Sequence, residues 1–295
     1  MRFRYEYTSC RHNGNYNAIA LTIKWVFVVE RQVSRDWHWQ TWQDYSYLSC
    51  TLLSTWQHGF FTRGFAPGTP EDLTSILQPQ TTSYRVKQVH GNRVLTSREI
   101  DNTVRQKKST SSLAEADAVI SDRSQQSVWV ASADCTPVLI GDLTTGRVCA
   151  IHAGWRGTAQ KIVPQAISRF LKLGSKLENL RIAIGPAIAG KVYQVDESVA
   201  VCVGSSIIDR ADNRSEKEIL AELRQLPDSP ILEDATPGKT RLNVPLVNRI
   251  QLERSGITSE QIAIAPYCTF QYDELFFSYR RTGEKKVQWS GIVAR

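Results

Sequence analysis

The stretch VWVASADCTPVLIGDLTTGRVCAIHAGWRG, residues 128–157, carries the pattern that decides the fold. It contains three short runs of β-branched and apolar residues, at 128–132, 138–141 and 148–151. Turn signals such as Thr145-Gly146 separate these runs, as they separate strands in a sheet. The stretch therefore predicts three adjacent strands of one sheet.

A helical pattern follows this stretch directly. After Gly157, apolar positions recur at helical spacing as far as Leu171 and stop before Gly174, and Pro164 predicts a late start or a kink. Further strands are predicted at 180–184, 262–265 and 287–293, and further helices at 195–203, 216–224 and 245–255. Alternation of this kind predicts an α/β fold, namely a single compact domain with a mixed central sheet and flanking helices.

The chain begins differently from the way it continues. Residues 1–36 are interpreted as an N-terminal extension of uncertain structure, and a tryptophan-rich run from Trp37 opens the more regular part of the chain. We therefore expect one enzyme domain over residues 37–295. A chain of 295 residues is long enough for one large core.

Composition narrows the classes of function. The net charge is +7, but the basic residues are scattered, which disfavours nucleic acid as a partner. The most apolar early run, residues 18–29, is too short to span a bilayer, includes Lys24 and lacks a cleavage pattern for secretion. The six cysteines show no disulfide-framework spacing. These features predict a cytoplasmic protein that does not associate with membranes.

Two histidines and one cysteine stand in unusual settings. His90 lies in Gln-Val-His-Gly, Cys135 in Ala-Asp-Cys-Thr-Pro, and His152 in His-Ala-Gly-Trp-Arg-Gly, each where a predicted strand ends or turns. Two imidazoles and a thiolate form a sound three-ligand set for zinc, with a fourth position left for water or substrate. A buried structural cysteine with hydrogen-bonded histidines is the alternative interpretation.

An ordered set of motifs resembles a known family. The matching segments are Lys87-Gln-Val-His-Gly91, Ala116-Asp-Ala118, Ala133-Asp-Cys-Thr-Pro137, His152-Ala-Gly-Trp-Arg-Gly157, Ile184-Gly-Pro186 and Phe277-Ser-Tyr-Arg-Arg281. Together they resemble the YfiH/YlmD family, also called laccase-domain or polyphenol oxidase proteins. The resemblance implies a compact α/β fold, zinc at His90, Cys135 and His152, and phosphorolysis of adenosine, inosine and methylthioadenosine with adenosine deamination. The implied partners are a nucleoside and phosphate, and the chain is expected to be a monomer or homodimer.

Further site residues are predicted around these motifs. Arg63, Arg156 and Arg281 are candidates to grip phosphate, because a guanidinium binds that anion in bidentate fashion. Gln88 is a further candidate for substrate binding. Asp134 is interpreted as a partner of the ligands, a proton acceptor or a turn cap, and Cys135, Asp134 and Arg63 are the predicted catalytic residues.

The chain also departs from the family pattern. The loop after Arg63 does not match the family's Thr-Arg-x-Gly-Gly, and the Gly-Pro segment at residues 185–190 carries no cysteine, so no ligand is predicted there.

Three other functions stay open on sequence alone. Copper is the alternative ion, for a polyphenol oxidase, but after two histidines are used only His12, His38 and His58 remain, too few for a full multicopper centre. A thiol hydrolase, including one that edits cell-wall precursors, would use Cys135 as nucleophile and His152 as base. A nucleic-acid binding module is disfavoured, because the motif residues are not aromatics interleaved with basic residues.

Overall fold

The computed structural model describes residues 36–106, 113–209 and 213–295, which belong to one compact unit. The strands, in chain order, are β1 (Trp37–Trp42), β2 (Tyr45–Cys50), β3 (His58–Phe61), β4 (Thr82–Tyr84), β5 (Val94–Thr96), β6 (Ala118–Ile120), β7 (Gln126–Ser132), β8 (Thr136–Asp142), β9 (Val148–Ala153), β10 (Leu180–Ile184), β11 (Gln194–Asp196), β12 (Ile231–Glu233), β13 (Lys239–Leu242), β14 (Ile262–Ile264) and β15 (Gln288–Val293). The α-helices are α1 (Pro70–Leu77), α2 (Ser97–Gln106), α3 (Trp155–Ala159), α4 (Ile162–Lys172), α5 (Glu197–Gly204), α6 (Glu216–Gln225), α7 (Val244–Arg254) and α8 (Tyr279–Thr282). The expected extension over residues 1–36 lies, apart from Asp36, outside the described residues.

Two six-stranded sheets form the centre of the fold. Sheet 1 has the order β1-β2-β3-β15-β7-β4, and sheet 2 has the order β14-β10-β8-β9-β6-β5. Each is mixed: β4 runs parallel to β7 in sheet 1, while β14 and β5 run parallel to their neighbours in sheet 2. The α/β class with mixed sheets and flanking helices is confirmed.

The core lies between the two sheets and on their outer faces. Val130 of β7 and Leu139 of β8 belong to the same buried cluster, which fills the space between the sheets. Their chain neighbours point the other way, because side chains alternate along a strand. Trp129 of β7 packs with α1, and Ile140 of β8 packs with α4. Helices therefore cover both outer faces of the sheet pair.

The predicted single sheet for residues 128–151 is wrong in one respect. Strands β8 and β9 are neighbours in sheet 2, but β7 belongs to sheet 1. The chain crosses between the sheets at Asp134, whose φ of 90° is a left-handed conformation. All seven residues of β8 are buried, as are most of β7, so hydrophobic alternation cannot assign either strand to a sheet.

The helix expected after Gly157 is divided in two. Lys161, with a φ of 59°, separates α3 from α4, so Pro164 falls in the first turn of α4. Proline is tolerated in a first turn because the N–H groups there have no helical partner. The predicted late start is therefore confirmed. The helix predicted at 245–255 is α7, and it is capped by Asn243, whose side chain accepts from the Leu246 amide.

A small third layer stands beside this sheet pair. Strands β11, β13 and β12 form an antiparallel sheet that packs with α5 and α6 around a separate apolar cluster. The helix expected at 195–203 corresponds to the end of β11 followed by α5, and the helix expected at 216–224 is α6. Within the described ranges, every helix is too short or too polar to cross a membrane.

Candidate metal centre

His90, Cys135 and His152 converge on one point. His90 lies in the loop between β4 and β5, Cys135 in the turn between β7 and β8, and His152 within β9. Their ligand atoms all lie within 4.8 Å of one another, and the two imidazole rings meet edge to face. Among the described residues this is the single cluster of three or more His, Cys, Asp or Glu side chains that can hold a metal ion.

The cluster opens toward solvent on one side. His90 is exposed, Cys135 is half-buried and His152 is buried, so accessibility falls from the first residue to the third. An open side is what a catalytic ion needs, since one coordination position must admit water or substrate. The arrangement therefore resembles a catalytic metal site more than a closed structural one.

Asp117 holds two of the three side chains in place. Its carboxylate accepts hydrogen bonds from the amides of Val89, His90 and Gly91 at 3.2, 2.9 and 2.8 Å. The same carboxylate lies 2.9 Å from Nδ1 of His152, and its carbonyl accepts from the His152 amide at 2.8 Å. A carboxylate bound to Nδ1 fixes the ring orientation and leaves Nε2 to face an ion.

Local backbone geometry brings the cysteine to the histidines. Asp134 has its carboxylate bonded to the Thr269 hydroxyl and to the Arg280 amide, both at 2.7 Å, and these bonds hold the left-handed turn before Cys135. On the other side of the thiol, Gly154 leaves room that a side chain would take. A Cβ at Gly154 would lie 2.9 Å from the Cys135 Sγ, so the site requires glycine there.

Cys135 and His152 shift each other's pKa, and His90 contributes to the shift of Cys135. Burial raises the pKa of the Cys135 thiol, but hydrogen bonds and charges from His152 and His90 outweigh it and lower that pKa to about 6. Burial lowers the pKa of His152, but hydrogen bonds to Asp117 and Cys135, with their charges, raise that pKa to about 9. The thiolate that a metal ion requires is thus favoured by the site itself.

The geometry of the donors fits an ion. Because 4.8 Å is the largest separation among the three ligand atoms, one point lies within about 2.8 Å of all of them. Zinc bonds to nitrogen and sulfur are about 2.0–2.3 Å long, so side-chain shifts of about half an ångström complete the contacts. The His-Cys-His group can therefore bind a metal.

Two of the predicted substrate-binding residues are instead engaged with the protein backbone. The Gln88 side chain donates to the Ala131 carbonyl at 2.8 Å and accepts from the Ala131 amide at 2.7 Å, which ties the His90 loop to β7. The Arg281 guanidinium donates to the carbonyls of Thr269, Phe270 and Phe276. Their roles in substrate and phosphate binding stay predictions, and these bonds disfavour them.

The other two predicted arginines lie in different surroundings. Arg156 is exposed and stacks on the ring of Trp155, 4.3 Å from its centroid. Arg63 stacks on Phe277 and donates to the Asp273 carbonyl, and it lines a cavity that the three metal-site residues do not line. The catalytic role of Arg63 stays a prediction.

Sequence reasoning missed three residues near the triad. Asp117 stood in the quoted motif Ala116-Asp-Ala118, but its role was not predicted. Tyr193 has its pKa raised to about 12, first by burial and then by the charge of Cys135, while the charges of Arg280 and Arg156 oppose this rise. Arg280, the neighbour of the predicted Arg281, stacks on the Tyr193 ring at 4.8 Å.

A comparison with protein families assigns the chain. The family model described as multi-copper polyphenol oxidoreductase laccase matches residues 71–294. The chain belongs to this laccase-domain family. Its relatives include a Synechocystis protein named purine nucleoside phosphorylase, 54% identical over 258 residues, which make up 88% of this chain and 97% of that protein. A protein named adenosine deaminase RL5, from an unknown prokaryotic organism, is 24% identical over 72% of each chain.

Solved structures in the laccase-domain family share the fold. The crystal structure of a Bacillus licheniformis hypothetical protein, YfiH, matches with a TM-score of 0.68 at 24% identity, covering 87% of this chain and 99% of that one. At this identity the match establishes the fold alone. The predicted resemblance to YfiH and YlmD proteins is confirmed.

The histidines outside the triad offer little support for the several copper ions that the family description names. Both ring nitrogens of His58 are bonded within the fold, to the Cys50 amide and the Trp56 carbonyl. His38 bonds the Thr51 hydroxyl. In the part of the chain that the structure describes, no histidine beyond the triad belongs to a metal-binding cluster.

Proposed function

We propose that the chain is a cytoplasmic, zinc-dependent purine nucleoside phosphorylase. Its substrates would be adenosine, inosine and methylthioadenosine, with deamination of adenosine as a second activity. The observation that carries the proposal is the convergence of His90, Cys135 and His152 in a chain 54% identical to a protein named purine nucleoside phosphorylase. The relative named adenosine deaminase supports the second activity.

Zinc is the ion that the donor set favours. Two imidazoles and a thiolate suit this borderline-soft ion, and three protein ligands leave a coordination position open. When bound, zinc supplies Lewis-acid catalysis at that position. Asp117 then acts as a positioning residue, because it orients both His152 and the His90 loop.

Phosphorolysis needs a second anchor, for the phosphate. In this reaction a phosphate oxygen forms a bond to the ribose C1′ while the bond from C1′ to the base nitrogen breaks, and the base leaves with a proton. We assign phosphate to Arg280 and Arg156, because Arg280 stacks on Tyr193 with its amide held by Asp134, the neighbour of Cys135, and Arg156 follows His152 by four residues. A guanidinium grips phosphate through paired N–H donors. Asp134 supports this site by fixing the Arg280 amide rather than by accepting a proton.

The decisive experiment combines metal analysis with product analysis. Protein purified without added metal should contain zinc near one equivalent, and with adenosine and phosphate it should release adenine together with ribose 1-phosphate. Chelation should abolish this activity and added zinc should restore it. Base release at an unchanged rate without phosphate would indicate hydrolysis and would contradict the proposal. Phenol oxidation by the copper-loaded protein tests the oxidase alternative in the same preparation.

A thiol hydrolase is the second candidate. The observation in its favour is the low pKa of Cys135, about 6, beside the imidazole of His152. Such a dyad works without a metal and forms a covalent adduct at the cysteine. The variant His90→Ala separates the two functions, because it removes one of three ligands and leaves the dyad intact. Full activity in metal-free His90→Ala protein would favour the hydrolase, whereas loss of both zinc and activity favours the metalloenzyme.

A further inference from the structure

A cavity that the proposed reaction does not use lies at the start of β15. Its volume is about 660 Å³, within the range of small-molecule sites. It lies between the loop that precedes α1 and the first residues of β15. The side chains that give it chemical character are three cations and three aromatic rings: Arg63, Arg85, Lys286, Phe65, Phe277 and Trp289.

The cavity carries three cationic side chains, which the fold neutralises only in part. Among the described residues that line it, none is acidic. Three carboxylates outside the lining contact residues within it: Glu284 pairs with Lys286 at 3.0 Å, Glu71 interacts with the charge of Arg85, and Asp72 accepts hydrogen bonds from Thr69. No hydrogen bond joins the Arg85 guanidinium to another described residue. A cavity with spare cationic donors is suited to an anion.

Each arginine in the cavity lies over an aromatic ring. The Arg63 guanidinium carbon is 4.9 Å from the centroid of Phe277, and that of Arg85 is 5.7 Å from the centroid of Trp289. Stacking of this kind holds a guanidinium in place while its N–H edge stays available to a ligand. All three rings are half-buried, so part of their apolar surface is accessible, and a heteroaromatic base can stack on such surface.

We propose that this cavity binds a ligand that joins a phosphate group to an aromatic base, as a nucleoside monophosphate does. The phosphate would contact Arg63, Arg85 and Lys286, and the base would stack against the aromatic walls. This site gives Arg63 a role as a contact of the phosphate group. The proposal does not rest on the proposed phosphorylase activity.

The cavity and the metal centre flank the same end of β7. Gln288 and Trp289 of the cavity pair with Ser132 and Ala131 at the end of that strand, shortly before Cys135. None of the three metal-site residues lines the cavity, however. A test must therefore separate nucleotide binding in the cavity from binding at the metal.

The test measures binding of AMP, adenosine and inorganic phosphate by calorimetry in metal-free His90→Ala protein. We expect AMP to bind at one equivalent, at least about tenfold more tightly than adenosine or phosphate alone, because only AMP has both the base and the anion. In the same background, Arg85→Gln and Lys286→Gln should each weaken AMP binding by about tenfold, the effect of losing one charge-assisted contact. Thermal melting checks that each variant is folded.

Lys285→Gln is the matched control, since Lys285 is an exposed neighbour of Lys286 that does not line the cavity. It should leave AMP binding unchanged. The proposal is overturned if AMP binds only to zinc-loaded wild-type protein, or if phosphate alone binds as tightly as AMP. It is also overturned if Lys285→Gln and Lys286→Gln weaken AMP binding equally, because a diffuse surface charge would then explain the effect.

Discussion

Replacement of Asp117 by asparagine is the sharpest test of how the metal centre is built. The Asp117 side chain is fully buried and accepts four hydrogen bonds, three from the amides of Val89, His90 and Gly91 and one from Nδ1 of His152. Asparagine has almost the same shape but only one acceptor oxygen. Its NH2 group would face the backbone N–H groups or the His152 ring nitrogen, which are donors themselves. The substitution therefore changes hydrogen bonding and charge with little change in volume.

The expected loss of stability follows from the number of hydrogen bonds that the substitution removes. The single oxygen of the asparagine side chain can accept at most two of the four hydrogen bonds, and a hydrogen bond to a buried charged group contributes about 1.5–3 kcal/mol, so the free energy of unfolding should fall by about 3–6 kcal/mol. Loss of the carboxylate behind a histidine ligand typically weakens metal binding by about 10–100-fold. Asp117→Asn should show both effects, because one side chain serves both the loop and the ligand.

The assay pairs urea unfolding of the metal-free protein with competitive zinc titration. Asp142→Asn is the control: Asp142 is equally buried and accepts from the Thr144 and Thr145 amides, but it lies at the other end of β8, about 20 Å along the strand from Cys135. Both of these bonds go to one oxygen, which asparagine also offers, so Asp142→Asn should leave zinc affinity unchanged. If Asp117→Asn bound zinc as tightly as the wild type, the carboxylate would not orient His152 toward an ion, and the reasoning would be refuted.

Three further outcomes follow from the same geometry. Gly154→Ala should fold but bind zinc at least about tenfold more weakly in competitive titration, because its Cβ would press on the Cys135 Sγ at 2.9 Å. Arg280→Gln should raise the KM for phosphate with near-normal unfolding by urea, whereas Arg281→Gln should lose about 2–3 kcal/mol of stability with its three carbonyl contacts. If Arg281→Gln instead raised the KM for phosphate and Arg280→Gln lowered stability, the phosphate-binding role first predicted for Arg281 would be supported. In mass spectrometry after iodoacetamide treatment, zinc should protect Cys135 but not the exposed Cys202; equal labelling of Cys135 with and without zinc would contradict its role as a ligand.

The sequence predicted local elements well and their assembly less well. The helices now seen as α6 and α7 were predicted at 216–224 and 245–255, because the tendency to form a helix is largely a local property of the sequence. The division of the strands between two sheets was not predicted, because β7 and β8 are buried on both faces and lack alternation. The crossing between them depends on a positive φ at Asp134, a conformation that is uncommon for any residue but glycine and that no glycine signals here.

The same contrast applies to the candidate site. His90, Cys135 and His152 were identified because their residue types can bind a metal and their motifs are unusual. Asp117 was not assigned a role, since a buried carboxylate between two alanines has no spacing that distinguishes it from a turn residue. Its function depends on which amides face it, and those belong to a loop 26 to 28 residues earlier in the chain. Arg280 and Arg281 could not be separated for a similar reason, as adjacent side chains point in different directions.

The position of the triad follows from the way the chain links the two sheets. His90 lies between β4 of sheet 1 and β5 of sheet 2, and Cys135 lies between β7 of sheet 1 and β8 of sheet 2. Because β4 pairs in parallel with β7, both strands send their chain across at the same end of sheet 1. His152, opposite Pro137 in the β8–β9 pair, meets both crossings from within sheet 2. Two crossings and one strand therefore bring the ligands together, which explains how residues far apart in sequence form one site without any of them lying on a long flexible loop.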